Sequence, residues 1–432
     1  MFWLSWLLAC SSSAPEPTVY PDLPVHHLAF GGDLCAGKDL NVFVVDPARS
    51  MAMFSEAPAP LEEADLTLVN LEGVVASGGW IADKGESRPI LYRARPELAG
   101  LLADAGVDVV AVANNHAGDY GPAALLETVD LMARAGIDTV GGGVDLAAAA
   151  QPVYRQVDDT VVAFVAADLT QTWGYAATET TPGSFVLDPD KAVAALTPVV
   201  RGAREHADLV FLTVHWGANF AKEPSEQTRR VGQALIRKAG FDAILGHSAH
   251  VLQGMELVDG KPILYDAGNF LAGHTGRDEQ AVGLVYDLAF NKAGVVSAAA
   301  HPIRLRAGRV VPAKDKTLEP WAKRTRDLGA EVRGNEVVCD PGPLLGRRSE
   351  APPPRPPAPP AEPFVAPRDH FVDALPPFAT PTEARFANGM TLIGYRLVAP
   401  ALRIPKAGQV FDLYFRVDEP QTADLRIELR GD

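Results

Sequence analysis

Cysteine is scarce: Cys10, Cys35 and Cys339 are the three among 432 residues, which excludes a disulfide-stapled scaffold. No apolar run reaches the roughly 18–20 residues that a membrane-spanning helix needs. Basic residues are also in deficit, with 39 Lys and Arg against 54 Asp and Glu for a net charge of −15. Electrostatic binding to nucleic acid requires a basic stripe, and none is present, so no nucleic-acid partner is expected. An anionic substrate would have to be held by a metal ion or by a local basic pocket. The rest is ordinary globular composition, 47% hydrophobic and 22% charged. Such a length suffices for a large core and for two or three domains.

The chain opens with a nearly continuous apolar stretch, Phe2 to Ala9, that runs through Leu-Leu-Ala into Cys10 and then Ser-Ser-Ser-Ala-Pro. This order resembles a bacterial lipoprotein signal with its lipobox. The resemblance implies export to the cell envelope and a membrane anchor through lipidation of Cys10. Residues 1–24 are therefore assigned to signal and tether.

From Val25 onward, short apolar strands alternate with helices, as in a layered α/β domain. Leu28–Gly31, Leu66–Val69, Asp108–Ala113, Val161–Ala166, Leu209–Val214 and Asp242–Leu245 read as buried strands. Pro96 opens a helix closed by Gly106, Pro122 opens another closed by Gly136, and Thr228–Ala239 forms a third before Gly240. After Gly254 the pattern changes to antiparallel hairpins, with Asp259-Gly260 as a tight turn. This domain is expected to span residues 25–340. Residues 341–368 form a linker with nine prolines in the seventeen positions 351–367, an extended semi-rigid segment. Residues 369–432 are expected to form a small all-β segment from Thr391–Val398, Val410–Val417 and Ala423–Leu429. An envelope protein is a possible partner for it.

Five of these strands run at their C-terminal edge into potential metal ligands. They are Gly32-Asp33, Asn70-Leu71-Glu72, Asn114-Asn115-His116 with Asp119, His215-Trp216-Gly217, and Gly246-His247-Ser248-Ala249-His250. Ligands of open α/β sheets bind outside the carboxyl ends of strands, so these loops should converge. Carboxylates, an amide oxygen and imidazoles suit divalent Mn, Fe, Co or Zn. So many groups suit two ions about 3.5–4 Å apart that clamp both oxygens of a displacement. Singly, each signal is weak: His215 could equally be a core histidine, and Asn115-His116 could be simple loop bonding. Gly-His-x-x-His is stronger, because one tight turn aims two imidazoles at one point.

Together with Gly268-Asn269-Phe270, this ordered set resembles the bacterial capsule-synthesis family of CapA type. That family is associated with poly-γ-glutamate and has the calcineurin-like metallophosphatase fold. The resemblance covers about residues 26–340. It implies a layered α/β/β/α sandwich with Asp33, Glu72, Asn115, His116, His215, His247 and His250 holding one or two divalent ions. Where the wider metallophosphatases carry Asp-x-His, the third position here is Cys35, which leaves one ion short of a nitrogen ligand. Cys35 itself reads as a small buried hydrophobe beside the site.

Smaller assignments follow. His116 is a candidate general acid if it is not itself a ligand, with Asp119 orienting it. Trp216, Asn219 and Asn269 are candidate substrate contacts, as is Arg93 for anionic groups. The remaining histidines, among them His301, read as structural. The leading expectation is an exported, membrane-tethered, metal-dependent hydrolase-like factor acting on a cell-surface polymer. The alternatives are a non-enzymatic polymer-binding accessory protein with a vestigial metal site, and a phosphodiesterase or nucleotidase acting on an anionic small substrate.

Overall fold

Four strands, β1 (His26–Cys35), β2 (Leu66–Glu72), β3 (Val109–Ala111) and β4 (Asp138–Val140), run parallel in the computed structural model. The structure describes residues 23–340, apart from residues 38, 83, 85–88, 171, 172, 274 and 276, together with residue 353 and the backbone of three strands between 380 and 417. A second sheet of six strands contains β5 (Val153–Val157), β6 (Thr160–Asp168), β7 (Leu209–His215), β8 (Ala243–His247), β9 (Met255–Val258) and β10 (Lys261–Leu264), in the order β9-β10-β8-β7-β6-β5. The first sheet is completed to nine strands by β11 (Asn269–Leu271), which pairs parallel to β1, and by β12 (Val282–Asn291), β13 (Gly294–Arg306), β14 (Arg309–Pro312) and β15 (Glu336–Val338).

The two sheets face one another, and residue alternation along each strand decides what lies between them. Leu28, Phe30, Leu68 and Val109 from the first sheet pack with Phe164, Phe211 and Leu245 from the second in one core. Phe211 meets Phe164 and Phe290 edge-to-face, with centroids 6.0 and 6.1 Å apart, a geometry aromatic pairs prefer. The alternate residues Ala29, Val69 and Val110 pack outward against helices α1 (Glu97–Asp104) and α2 (Gly121–Arg134) through Leu98, Leu102, Leu125 and Met132. Val161, Val210, Leu212 and Ile244 do the same toward α3 (Ala192–Ala203) and α4 (Glu226–Ala234). The result is the expected α/β/β/α sandwich. Because both faces of its parallel strands are covered, they read as continuous apolar runs.

The Asp259-Gly260 turn is as expected, with φ of 52° and 78° at its two residues, the signature of a type I′ hairpin. A further helix, α5 (Glu319–Asp327), drives Trp321 into the inter-sheet core, where its indole N–H donates to the Tyr286 hydroxyl at 2.8 Å. Among the described residues, no helix is long and apolar enough to cross a membrane. In the C-terminal segment, Thr380–Arg385, Met390–Leu397 and Phe411–Val417 form an antiparallel sheet. The first of these was not legible in the sequence. The expected strand at 423–429, the signal with Cys10, and the linker apart from residue 353 lie outside the described residues.

Candidate metal centre

The strands run further than their apolar residues. Asp33 lies inside β1, while Glu72, His215 and His247 are the last residues of β2, β7 and β8. Pairing explains this: Cys35 stands opposite Glu72 and His215 opposite His247, so the ladder carries polar residues along. The β1–β2 register shifts between Gly31 and Asp33, which turns the Asp33 carboxylate toward the second sheet. Gly32 permits this, because a Cβ there would sit 1.9 Å from the Gly268 carbonyl oxygen. The Asp33 amide donates to that same oxygen at 3.0 Å.

Asp33 is the centre of the arrangement and is fully buried. One carboxylate oxygen, Oδ1, accepts from Asn70 Nδ2 at 2.8 Å and lies 3.6 Å from His247 Nδ1 and 3.9 Å from His215 Nδ1. The other, Oδ2, accepts from the Ser248 amide at 3.1 Å and faces His250 Nδ1 at 3.2 Å. A chain from Asn114 Nδ2 to Asn70 Oδ1 at 3.2 Å stiffens this from behind. The His247–His250 loop is bent accordingly, with Ser248 at φ 116° and His250 at φ 59°, non-glycine positions that the surroundings must hold in place. Beneath it, buried Asp266 accepts from the amides of Ala249 and Gly268 at 2.6 and 2.7 Å, so one carboxylate fixes both loops.

The ligand atoms fall into two groups, Asp33 with His215 and His247, and Cys35 with Glu72 and His250, each within 4.8 Å of one another. Glu72 Oε1 lies 3.6 Å from both His116 Nε2 and His250 Nε2. His116 donates from Nδ1 to Asp119 Oδ2 at 2.6 Å, which leaves Nε2 facing the cluster. Asp119 is itself fixed by the Tyr92 amide at 2.7 Å, Lys84 Nζ at 2.9 Å and the Tyr175 hydroxyl at 3.2 Å.

Burial governs the charge states. It lowers His215 well below the ordinary histidine range and His247 to about 4, which keeps both neutral, the form that binds metal. Burial opposes charge on His250 as well, but Glu72 and Asp33 override it and hold the imidazole up at about 10. Burial would raise Asp33, yet the hydrogen bond and field of His250, with His247 and His215, bring it below the ordinary carboxylate range. Burial raises Glu72 and Asp266.

The donor set fits a divalent cation. Glu72 Oε1, Asn115 Oδ1 and His215 Nε2 are buried and have no hydrogen-bond partner among the described residues. An unmade buried hydrogen bond costs about 1–3 kcal/mol, more when the group is charged. For Glu72 Oε1, 3.6 Å from the Nε2 atoms of both His116 and His250, a bound cation would make good that loss.

The structure thus brings Asp33, Glu72, His116, His215, His247, His250 and Asn269 together, with Asn115 alongside and Asp119 behind His116. Asn269 accepts from His250 Nδ1 at 2.9 Å. Cys35 is buried in an apolar cluster beside the site, as read from sequence, with its sulfur 3.6 Å from Glu72 Oε2. Trp216 is buried against Tyr265, its indole N–H donating to the Tyr265 carbonyl at 2.9 Å. Arg93 covers the Tyr120 ring at 4.4 Å, and Asn219 is exposed on its loop. His26, His27, His206 and His301 stand outside both groups of ligand atoms. Asp266, Asn70, Lys84, Tyr92 and Tyr175 carried no motif that would have singled them out.

Comparison with known proteins identifies the family. The family described as bacterial capsule synthesis protein PGA_cap matches over residues 27–274. The chain is 28% identical over 322 residues to the PGA biosynthesis protein CapA of Bacillus subtilis, covering 74% of this chain and 81% of that one. It is 31% identical over 312 residues to a Mycobacterium tuberculosis protein named "Probable polyglutamine synthesis accessory protein", covering 68% and 80% respectively. Among solved structures it is similar to a phosphatase from Mycoplasma pneumoniae, at 12% identity and TM-score 0.42, over 69% of this chain and 98% of that chain. The matched span contains the whole cluster from Asp33 to Asn269, and the chain belongs to the bacterial capsule-synthesis family PGA_cap, of CapA type.

Proposed function

We propose that this protein is a metal-dependent, hydrolase-like factor of capsule biosynthesis, exported and lipid-anchored through Cys10, that acts on a cell-surface polymer of poly-γ-glutamate type. The observation that carries the reading is the gathering of buried potential ligand atoms into two groups, Asp33 with His215 and His247, and Cys35 with Glu72 and His250. Relatives named for PGA biosynthesis and for polyglutamine synthesis support a polymer of this kind. Asp33, His215 and His247 would hold a cation on one side, and Glu72, Asn115, His116 and His250 on the other. A bound ion of the Mn, Fe, Zn or Co class supplies Lewis-acid polarisation of the scissile group and activation of water near neutral pH.

The chain's own groups do the rest. Asp119 fixes the His116 ring through Nδ1, so Nε2 is the atom that binds the cation or hands a proton to the leaving group. Asp33 and Asp266 hold the His247–His250 loop in place through its Ser248 and Ala249 amides. Asn219, exposed on its loop, is the substrate contact the arrangement favours, while buried Asn269 is engaged by His250 and the Gln280 carbonyl. Arg93 and Trp216 are engaged by Tyr120 and Tyr265. The 25–340 unit would carry this activity, with residues 341–368 as a spacer and the C-terminal sheet as the surface for an envelope partner.

The test is turnover by the purified full chain, loaded with each of these metals, on a phosphodiester and on poly-γ-glutamate. Metal-dependent cleavage that His116→Gln and His247→Ala abolish is the expected result. Stoichiometric metal with no cleavage of either substrate would replace the enzyme by the accessory reading, in which the ion holds polymer carboxylates.

A further inference from the structure

Cys35 is the last residue of β1 and only 8% exposed. Its Sγ lies 3.6 Å from Glu72 Oε2 and 3.7 Å from Asn269 Oδ1, both on the polar side of the strand end. The sulfur, a Glu72 oxygen and a His250 nitrogen lie within 4.8 Å of one another. We propose that Cys35 is a metal ligand, and that Cys35, Glu72 and His250 form a thiolate–carboxylate–imidazole subsite selective for a borderline or soft divalent ion such as zinc or cobalt over manganese or magnesium. This rests on the metal-centre reading above and extends it to a residue and a selectivity that the reading lacks.

Three observations support it. The sulfur lies beside the Glu72 carboxylate, a pair that a cation between them would hold as thiolate and carboxylate together. Glu72 Oε1, on the same fully buried carboxylate, has no hydrogen-bond partner among the described residues and points toward His250 Nε2. The spacing also suits a shared ion: bonds of about 2.3 Å to sulfur and about 2.1 Å to oxygen in a tetrahedron separate those atoms by roughly 3.6 Å, against the observed 3.6 Å. Thiolate ligation favours zinc and other soft ions, while carboxylate and water ligation suits manganese and magnesium.

The test is Co(II) titration of the chelator-stripped full chain under reducing, anaerobic conditions. Visible d–d bands report cobalt bound anywhere in the cluster, and a near-ultraviolet sulfur-to-cobalt charge-transfer band reports a thiolate ligand. Both should appear in the wild type, and Cys35→Ser should lose the charge-transfer band while keeping d–d absorption. Cys339, whose sulfur sits beside the Val337 carbonyl in the inter-sheet core, is the control: Cys339→Ser should keep both bands. In competition, Cys35→Ser should weaken zinc binding by about tenfold or more and leave manganese binding unchanged. Wild-type d–d bands with no charge-transfer band overturn the Cys35 assignment and leave the metal centre standing. So does a charge-transfer band that persists in Cys35→Ser. No cobalt absorption at all overturns both, and the wild-type spectrum decides even if the variant fails to fold.

Discussion

Replacing Asp119 by Asn probes the scaffold that positions His116. The carboxylate is fully buried and accepts from His116 and Tyr92 through Oδ2 and from Lys84 and Tyr175 through Oδ1. An amide keeps the shape but offers one oxygen, so its NH2 group must face donors on one side. Lys84 meanwhile loses its counter-ion with its side chain only 10% exposed. Breaking a buried pair by removing one partner costs about 3–5 kcal/mol. The lower end is expected here, because Lys84 retains the Asn115 carbonyl at 3.2 Å. With about 2.1 cal/mol/K of unfolding entropy per residue over roughly 300 residues, each kcal/mol moves Tm by about 1.6 °C, so Asp119→Asn should lower Tm by about 5 °C. The measurement is calorimetry in chelator, which removes any contribution from metal. Lys84→Met with Asp119→Asn should cost about 1–3 kcal/mol less than the sum of the single variants, since the pair is lost together. Additivity within about 0.5 kcal/mol, or an unchanged Tm in Asp119→Asn, would refute the reasoning.

Gly32→Ala should fall at or beyond the upper end of the roughly 1–3 kcal/mol range for overpacking, because its Cβ would meet backbone oxygen rather than a movable side chain; a urea midpoint equal to wild type would contradict the β1–Gly268 contact. Limited proteolysis should cut between residues 341 and 368 and leave a stable fragment of about residues 25–340, since a proline-rich polar stretch cannot bury enough surface to fold. Cleavage inside the fragment first would argue against that division. Cys10→Ala should move the protein from the membrane pellet to the soluble fraction, and identical partitioning of variant and wild type would remove the lipid anchor.

Much of the fold was legible because its periodicities are clean. The central strands are apolar on both faces, and helices opened by proline and closed by glycine separate them. The strand ends were not legible, because polar Asp33, Glu72, His215 and His247 stop an apolar pattern while cross-strand pairing carries the backbone onward. That these polar residues would gather could be read because they share the same sheet edge in a fixed order. Cys35 is the small buried residue beside the site that the sequence suggested, packed in an apolar cluster; what the sequence does not show is that its sulfur also approaches Glu72 and Asn269. Asp266, Lys84 and Tyr175 act through contacts made by folding, as in Asp266 binding the Ala249 and Gly268 amides. Trp216 was a candidate substrate contact by position, but the Tyr265 carbonyl takes its indole N–H inside the core.

The central claim is that the buried cluster is a metal centre, and His247→Ala tests it most directly through metal analysis and melting in the presence and absence of chelator. An ion that binds only the folded state stabilises it by roughly 2.7 kcal/mol at a hundredfold excess over its Kd, about 4 °C for a unit of this size. Wild type should carry one or two equivalents of divalent metal and lose about that much Tm in chelator. His247→Ala should contain less metal and melt lower in metal-replete buffer, yet differ little from wild type once both are stripped. His301→Ala, on β13 away from the ligand groups, should retain the full metal response. Equal metal content and equal chelator response in wild type and His247→Ala would contradict the account.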